Sequence, residues 1–445
     1  MYKFPGDYDL KKVELTTFDG SNVLDIRNLV LECHIFESIY QPTITCDIVI
    51  TDAIGFIEGA PITGQEKVSI SIDTPKSSDS KSVGDTFDRD FIVYKISSRG
   101  FDTTQGTNIY ILHLCTKEFL VGNALAFSSS YRGTPSEICQ KLFKDAFQTQ
   151  DIKLNVEKTL RETLVVFPNT NLFKSINMLS NYSQSEQHNT STFLLYEDHV
   201  NGFNYISVET LLQKKPGDTD KYFFENTPNT PDSSRSSRKN FTIRNLEMIK
   251  DFDNLLGLST GMFSSRTISH DLVTKSYNIT KYNYGDDFTA SDSIYSNPLI
   301  KSKSSNFSYN DDKYCENMTY LISTDLFRKN DEYVKSKKSE LDTNHFRAMN
   351  EVVGGRVSKL HQIDYMKMKI DIPGDLRLCA GKIINILVPT MSKKTNNSET
   401  LDKRLSGKYL ISNITHSFSK NQYATKCEVI KDSFETDIKF NDGLK

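Results

Sequence analysis

Short runs in which apolar and polar residues alternate recur at both ends of this chain, and they constrain its fold most. In the run 43–50, every second residue is apolar. A period of two places these side chains on one face of a strand, so the run predicts a half-buried β-strand. Further strands are predicted before residue 120 at 66–72, 91–96 and 107–114, with a polar turn at 77–82. Closely spaced strands without an intervening helix favour a sandwich or a barrel.

The last 80 or so residues return to the same pattern. Strands are predicted there at 365–371, 382–388, 408–414 and 423–430. No short sequence repeat is visible, which leaves open whether one type of domain is used twice. The chain therefore has two β-rich ends around a mixed middle.

The middle of the chain carries helix signals. Thr134, Pro135 and Glu137 form the pattern of a capping box, which predicts a helix beginning there. A second helix is predicted from about Asn171, and a hairpin is predicted between strands 192–196 and 203–208, with Asn-Gly at its turn. The polar segment 214–240 predicts a surface connection, and the charged run 331–340 predicts a solvated helix face. A Gly-Gly pair at 354–355 predicts the end of a short helix over 343–352.

Composition excludes several classes of protein. The 54 Lys and Arg residues nearly balance the 57 Asp and Glu residues, giving a formal net charge of −3, so no basic field favours stable nucleic-acid binding. No apolar run approaches the ~20 residues that cross a bilayer, and the first residues show no secretory pattern. The 7 cysteines are widely spread and form no CxxC pair. We therefore expect a protein that folds in a reducing cytoplasm and buries its cysteines as small apolar side chains.

A search for chemistry finds one short motif. Residues 257–261 read Gly-Leu-Ser-Thr-Gly, the pattern of a nucleophile elbow, but the preceding residues 251–254 do not predict the strand that an elbow requires. A chance match is the better interpretation of Ser259. The histidines at 34, 113, 188, 199, 270, 345, 361 and 416 show no spacing that suits a metal. Acidic residues are plentiful, yet nothing singles out a catalytic pair. No catalytic, cofactor-binding or metal-ligating residue is predicted, no cofactor is expected, and a structural or interaction protein is favoured.

Several segments together resemble the central baseplate hub protein of contractile-tailed, myovirus-type phages, and similar folds occur in the spike hub domains of type VI secretion. The resemblance rests on a Gly-x-Glu strand entry at 64–70, a Ser-x-Tyr-x-Gly turn at 129–133, a hairpin at 193–209, and the segments 372–389 and 405–433. Each piece is short, and their order and spacing carry the likeness.

The resemblance implies a mainly β fold with α+β insertions, built from two tail-tube-like antiparallel β-barrel domains and smaller mixed domains. The first barrel would cover 1–120 and a mixed α/β domain 121–240. The second barrel would be split, with 241–290 as its first part and 360–445 as its remainder and C-terminal tail. Residues 291–359 would form a polar, partly helical insertion.

The resemblance also implies a homotrimeric ring with no catalytic residues. Three chains would present six similar barrels and adapt a threefold central spike to the sixfold tail tube. Partners would be the spike or tail lysozyme protein, the tube, tape measure and baseplate wedge proteins, with DNA as transient cargo during genome ejection. The expected location is the virion baseplate, after assembly in the host cytoplasm and without stable membrane insertion.

Two other functions remain open at this stage. One is a tail-associated cell-wall hydrolase, which a turnover assay with Ser259→Ala and carboxylate variants would distinguish. The other is a type VI-like hub whose needle is a separate chain. For a hub, we expect the channel surface to be neutral to acidic, because a basic wall would grip DNA.

Overall fold

The computed structural model describes residues 6–59, 62–74, 86–102, 106–148, 152–160, 162–188, 190–217, 220–224, 241–271, 275–288, 292–298, 317–323, 345–390, 401–420 and 422–435. The polar turn 77–82, most of the connection 214–240, the charged run 331–340, Cys315 and the last ten residues lie outside these ranges. The described chain is mainly β with a smaller share of helix, as the alternating runs predict.

The strands predicted at the N-terminal end are present. The elements of this region are β1 (Asp9–Thr16), β2 (Val23–Asp25), β3 (Val30–Ser38), β4 (Thr45–Asp52), α1 (Phe56–Gly59), β5 (Lys67–Asp73), β6 (Thr86–Asp102) and β7 (Thr107–Cys115).

The middle region follows with helices and short strands. Its elements are α2 (Lys117–Ala124), β8 (Ala126–Gly133), α3 (Pro135–Phe147), β9 (Leu154–Val156), β10 (Thr163–Asn171), α4 (Leu172–Ser180), β11 (Phe193–Asp198), β12 (Gly202–Ser207) and α5 (Val208–Gln213).

The remaining elements lead into the C-terminal strands. They are β13 (Lys221–Phe224), β14 (Thr242–Ile243), β15 (Asn245–Lys250), α6 (Asn254–Thr260), β16 (Ser264–Asp271), β17 (Ser276–Asn283), α7 (Tyr284–Asp287), β18 (Asn297–Pro298), β19 (Asn317–Ser323), α8 (His345–Ile363), β20 (Met366–Pro373), β21 (Ile383–Leu387), β22 (Gly407–Ser419), β23 (Gln422–Lys431) and β24 (Ser433–Phe434).

The two β-rich ends repeat one strand order. The N-terminal strands lie as β3-β4-β7-β6-β5-β1 and the C-terminal strands as β15-β20-β23-β22-β21-β13. When each set is numbered along the chain, leaving aside the very short β2 and β14, both orders are 2-3-6-5-4-1. One difference is that β1 pairs antiparallel with β5, whereas β13 pairs parallel with β21. We call these sets the N-terminal unit and the C-terminal unit.

Local irregularities of the two units also coincide. In each fifth strand the register against the sixth strand shifts at an equivalent point, directly after Val93 in β6 and directly after Ile411 in β22, and β6 has a second shift after Ser97 that β22 lacks. The Val93 N–H donates to the Glu66 carbonyl at 2.9 Å, and the Ile411 N–H donates to the Lys382 carbonyl at 2.9 Å. Matching strand order and matching bulges therefore show one β architecture used twice, which no short sequence repeat had revealed.

The two units are joined into one long sheet. Strand β22 pairs with β3 antiparallel, from Asn413 opposite Ser38 to Ser419 opposite Glu32. Among the described residues this sheet has 14 strands, eleven along an open path and β23, β20 and β15 on a branch from β22, and no closed barrel is found there. Apolar side chains of each unit form a separate core on one side of the sheet.

The middle region has its own core, and its helix caps form as predicted. The Thr134 side chain accepts a hydrogen bond from the Glu137 N–H, and the Glu137 side chain accepts one from the Thr134 N–H. The apolar face of α3 is buried against α4 and the β11–β12 hairpin. The described cysteines are all buried and free, which confirms their predicted place in the cores.

The predicted end of a helix at Gly354 is wrong, because α8 continues through both glycines to Ile363. A side chain at Gly354 would place its Cβ 2.6 Å from the Cβ of Tyr282 on β17. The glycine therefore permits close packing of α8 on the sheet of β16, β17 and β19, at a cost in helix propensity. Among the described helices, none is both long and apolar enough to span a membrane.

Candidate assembly surface

The Gly-x-Ser-x-Gly motif does not form a nucleophile elbow. Ser259 lies in the last turn of α6, and its hydroxyl donates to the Leu256 carbonyl at 3.1 Å. Gly261 caps this helix with φ near +81°. Because an elbow requires a strand that turns into a helix, the match is a coincidence of helix-capping residues.

The side of the long sheet opposite the cores is polar, and we call it the outer face. On β4, the buried residues Cys46, Ile48 and Ile50 alternate with partly exposed outer residues. On strands β3, β4, β15, β20 and β23 the outer face carries acidic Glu32, Asp47, Glu247, Asp371 and Glu428 and basic Lys250, Lys367, Lys369 and Lys426. The charges on these strands nearly balance, with a slight acidic excess.

Three outer residues on neighbouring strands form a Ser–His–Asp hydrogen-bonded row. The Ser97 Oγ lies 2.6 Å from His113 Nε2, and His113 Nδ1 lies 2.6 Å from Asp47 Oδ1. The order of these contacts is that of a nucleophile, a base and an orienting carboxylate.

A similar row recurs where the two units meet. The Ser417 Oγ lies 2.9 Å from His34 Nδ1, and His34 Nε2 lies 3.1 Å from Glu32. In this row Nδ1 faces the serine and Nε2 faces the carboxylate, the reverse of the arrangement at His113. The first row crosses three neighbouring strands, whereas the second joins β22 to two residues of β3. Polar cross-strand pairs of this kind contribute to the stability of the sheet.

Besides the short end strands β2 and β14, two strand edges of the long sheet lack a partner strand within the described residues. Strand β15 pairs with β20 on one side only, and its Ile249 is 46% exposed. Strand β6 pairs with β5 only as far as Ile92, so the β5-side edge from Tyr94 onward faces no described strand. Tyr94 is 47% exposed. Open edges with exposed apolar side chains are surfaces that proteins normally cover by assembly.

The β11–β12 hairpin contacts the N-terminal unit through the buried carboxylate of Glu197. The Ile44 N–H donates to Glu197 Oε2 at 3.2 Å, and the Arg89 guanidinium donates to Glu197 Oε1 at 3.2 Å. Burial raises the pKa of Glu197 to about 7, while Arg89 opposes that rise. This contact joins the middle region to β6 and to Ile44, the residue before β4.

Sequence reasoning missed one cluster. The structure brings Glu37, His199 and His416 together, with one potential ligand atom of each within 4.8 Å of the others. Glu37 and His199 are 162 positions apart, and His416 is more distant still. No spacing rule detects such a cluster, because it exists only through the pairing of β3 with β22 and the position of the hairpin turn.

No protein-family model and no curated protein matches the chain. Solved structures do match. A tail protein from Neisseria meningitidis MC58 aligns over 96% of this chain and 97% of its own, with a TM-score of 0.52 and 10% identity. The 43 kDa tail protein of prophage MuSo2 from Shewanella oneidensis aligns over 96% and 99%, with a TM-score of 0.50 and 9% identity.

A third match, to a component of the type VI secretion system from E. coli, has a TM-score of 0.43, 8% identity, and covers 97% of this chain and 79% of that protein. A likeness at this level carries no argument. The first two matches establish that this chain shares the fold of solved tail proteins along nearly its whole length. Fold alone does not fix function.

Proposed function

We propose that this chain is a structural subunit of a phage-type contractile tail and forms its baseplate hub. In this proposal, three chains make a ring that adapts the threefold central spike to the sixfold tail tube and leaves a channel for the tape measure and DNA. The β units are the two tube-like domains: the first lies within 1–120, and the second combines strands of 241–290 and 360–445 with β13, which lies before residue 241. The remaining segments pack around them.

The proposal rests on the repeated strand order of the two units. Each unit can pair its second strand with the fifth strand of another unit, and this pairing is present at one end of the chain's two units and absent at the other. Within the chain, the second strand of the N-terminal unit (β3) covers the free half of the fifth strand of the C-terminal unit (β22). The equivalent strands of the other junction are β15 and the later half of β6, and each has one edge that pairs with no described strand. A second copy of the chain supplies the missing partner at each of these edges. Head-to-tail contacts of this kind close into a ring when the rotation permits.

The register of the proposed contact follows from the internal one. Through the shared pairing pattern, Ser97 is equivalent to Thr415, and Lys250 is equivalent to Phe36. Phe36 lies opposite Thr415 within the chain. Lys250 of one copy therefore lies opposite Ser97 of the next.

The outer face suits the wall of a channel. On strands β3, β4, β15, β20 and β23 its charged residues nearly balance, and Lys367 pairs with Glu428 at 2.9 Å, which leaves little net field there to hold a polyanion.

The test is a cross-link between copies. We expect the Ser97→Cys/Lys250→Cys double variant to form disulfide-linked multimers up to a trimer on mild oxidation, since paired strand residues have a Cα spacing that a disulfide spans. Mixing the two single variants should give linked dimers. Non-reducing electrophoresis and light scattering measure both results.

The chain offers a matched control. The Phe36→Cys/Thr415→Cys pair should oxidise within one chain and leave its mass unchanged. A cross-link in the control pair but none in the Ser97/Lys250 pair would refute the proposed register. Monomers alone in light scattering, even with the spike protein present, would refute the ring.

A further inference from the structure

Three buried side chains from distant segments converge at the junction of the two units and the middle region. Glu37 lies on β3, His199 lies in the turn between β11 and β12, and His416 lies on β22. Glu37 is 2% exposed and His416 is fully buried, while the His199 side chain is 7% exposed. One ligand-type atom of each lies within 4.8 Å of the others.

Glu37 and His199 are each held through the atom that does not face the partner. The second Glu37 oxygen, Oε2, accepts from the Ala380 N–H at 3.1 Å. His199 Nε2 donates to the Leu376 carbonyl at 2.8 Å. Glu37 Oε1 and His199 Nδ1 then face each other at 2.6 Å. Metal-binding carboxylates and imidazoles are typically held in this way by outer hydrogen bonds.

His416 follows the same arrangement. Its Nδ1 lies 2.7 Å from the Tyr423 hydroxyl, its Nε2 is buried without a hydrogen bond of ordinary geometry, and the backbone of Leu378 lies close enough to the ring to oppose the lowering of its pKa by burial. Buried polar atoms are usually hydrogen-bonded, and His416 Nε2 is one of sixteen described side-chain atoms that are not, here beside two other potential metal ligands. A hydrogen bond between Glu37 and His199 satisfies those two residues but leaves His416 Nε2 unexplained.

We propose that Glu37, His199 and His416 form a binding site for a divalent transition-metal ion, with Zn²⁺ as its occupant. Two imidazole nitrogens and one carboxylate oxygen are a donor set that zinc accepts, with water as a fourth ligand. Binding requires Glu37 Oε1 and His199 Nδ1 to separate to roughly 3.3 Å, the spacing of two ligands on a tetrahedral ion. The ion replaces the proton between them and gives His416 Nε2 its missing partner.

The site has a structural consequence. Its ligands come from the N-terminal unit, the middle region and the C-terminal unit, so one ion links all three segments at one point. Zinc binding is then coupled to the assembly of the folded chain.

The test uses the full-length protein, purified without a metal-binding tag and stripped with a chelator. After incubation with Zn²⁺ and dialysis, we expect about one zinc per chain by mass spectrometry of the metal. With Co²⁺ as the probe, we expect the intense visible absorption of a four-coordinate ion. Less than a tenth of an equivalent of bound zinc, or only the weak spectrum of hydrated cobalt, would overturn the proposal.

Variants locate the ion. His416→Gln and Glu37→Gln should weaken zinc binding by more than about tenfold, and Tyr423→Phe, which removes an outer hydrogen bond, by roughly 10- to 100-fold. His113→Gln is the matched control, because His113 also contacts a carboxylate at 2.6 Å but lies outside the cluster. Zinc that persists unchanged in His416→Gln, or that disappears in His113→Gln, would refute the assignment. If a ligand variant does not fold, X-ray absorption of the wild-type zinc complex decides by its count of imidazole ligands.

Discussion

Replacing Lys431 with Met should change how the stability of the C-terminal unit depends on pH. Lys431 is fully buried, and its ammonium donates to the carbonyls of Ser406 and Arg404 at 3.0 and 3.2 Å. The same nitrogen lies over the ring of Tyr409, 5.0 Å from the centroid. Burial is the main cause that lowers the pKa of Lys431 from 10.5 to about 8.

The sign and size of the effect follow from the two pKa values. The unfolded chain keeps the lysine proton up to about pH 10.5, whereas the folded chain loses it near pH 8. Between these values the unfolded state binds more protons, so folding stability rises with pH. At about 1.4 kcal/mol per pKa unit, Lys431 should add roughly 2 to 3 kcal/mol of stability between pH 7 and pH 10.

Urea unfolding at both pH values, followed by circular dichroism, measures this change. The stability of wild type relative to Lys431→Met should increase from pH 7 to pH 10 by that amount, since the other titrating groups cancel in the comparison. Lys426→Met is the control, because Lys426 lies on the same strand but is exposed. Equal pH dependence in wild type and Lys431→Met would refute the reasoning.

Two further pairs of substitutions test the packing of α8 and the capping of α3. Gly354→Ala should destabilise the fold by about 1 to 3 kcal/mol, because the new Cβ would lie 2.6 Å from Tyr282. Gly355→Ala should instead stabilise the fold by roughly 0.5 to 1 kcal/mol, since its Cβ would meet Tyr282 at an ordinary 3.6 Å and alanine favours a helix more than glycine does. Thermal unfolding of both variants measures the contrast, and equal shifts would contradict it. Thr134→Ala should cost about 1 kcal/mol in urea unfolding through loss of the capping box, while Thr134→Ser should cost much less. An alanine variant as stable as wild type would contradict the role of the cap.

Local features of the fold were predictable from the sequence. Alternating runs such as 43–50 and 66–72 became β4 and β5, because period-two burial is read directly from neighbouring residues. The capping box at Thr134 and the Asn-Gly hairpin were equally local. The helix end at Gly354 was predicted wrongly, since a glycine placed for close packing and a glycine placed at a helix end look alike in one sequence.

Features that depend on distant pairing were not predictable. The shared strand order of the two units leaves no short repeat, because a sheet accepts many side chains provided that they alternate. The cluster of Glu37, His199 and His416 forms only once β3 lies beside β22. Its residue types are unremarkable until that pairing is known.

The pairing of β3 with β22 also means that two neighbouring strands of the sheet are synthesised far apart in time. Ser38 and its partner Asn413 are 375 positions apart, so at 5 to 20 residues per second the ribosome needs roughly 20 to 75 seconds to supply the second strand after the first. Hairpins form in about 1 to 10 microseconds, so the N-terminal strands can pair among themselves long before that. During this interval the edge of β3 has no partner strand. The β22 strand of another chain, made on the same messenger RNA, can pair with it through the same hydrogen bonds. Such an exchange is a domain swap, and closely spaced ribosomes favour it. The yield of correctly paired protein should therefore rise when initiation is slowed and nascent chains are farther apart.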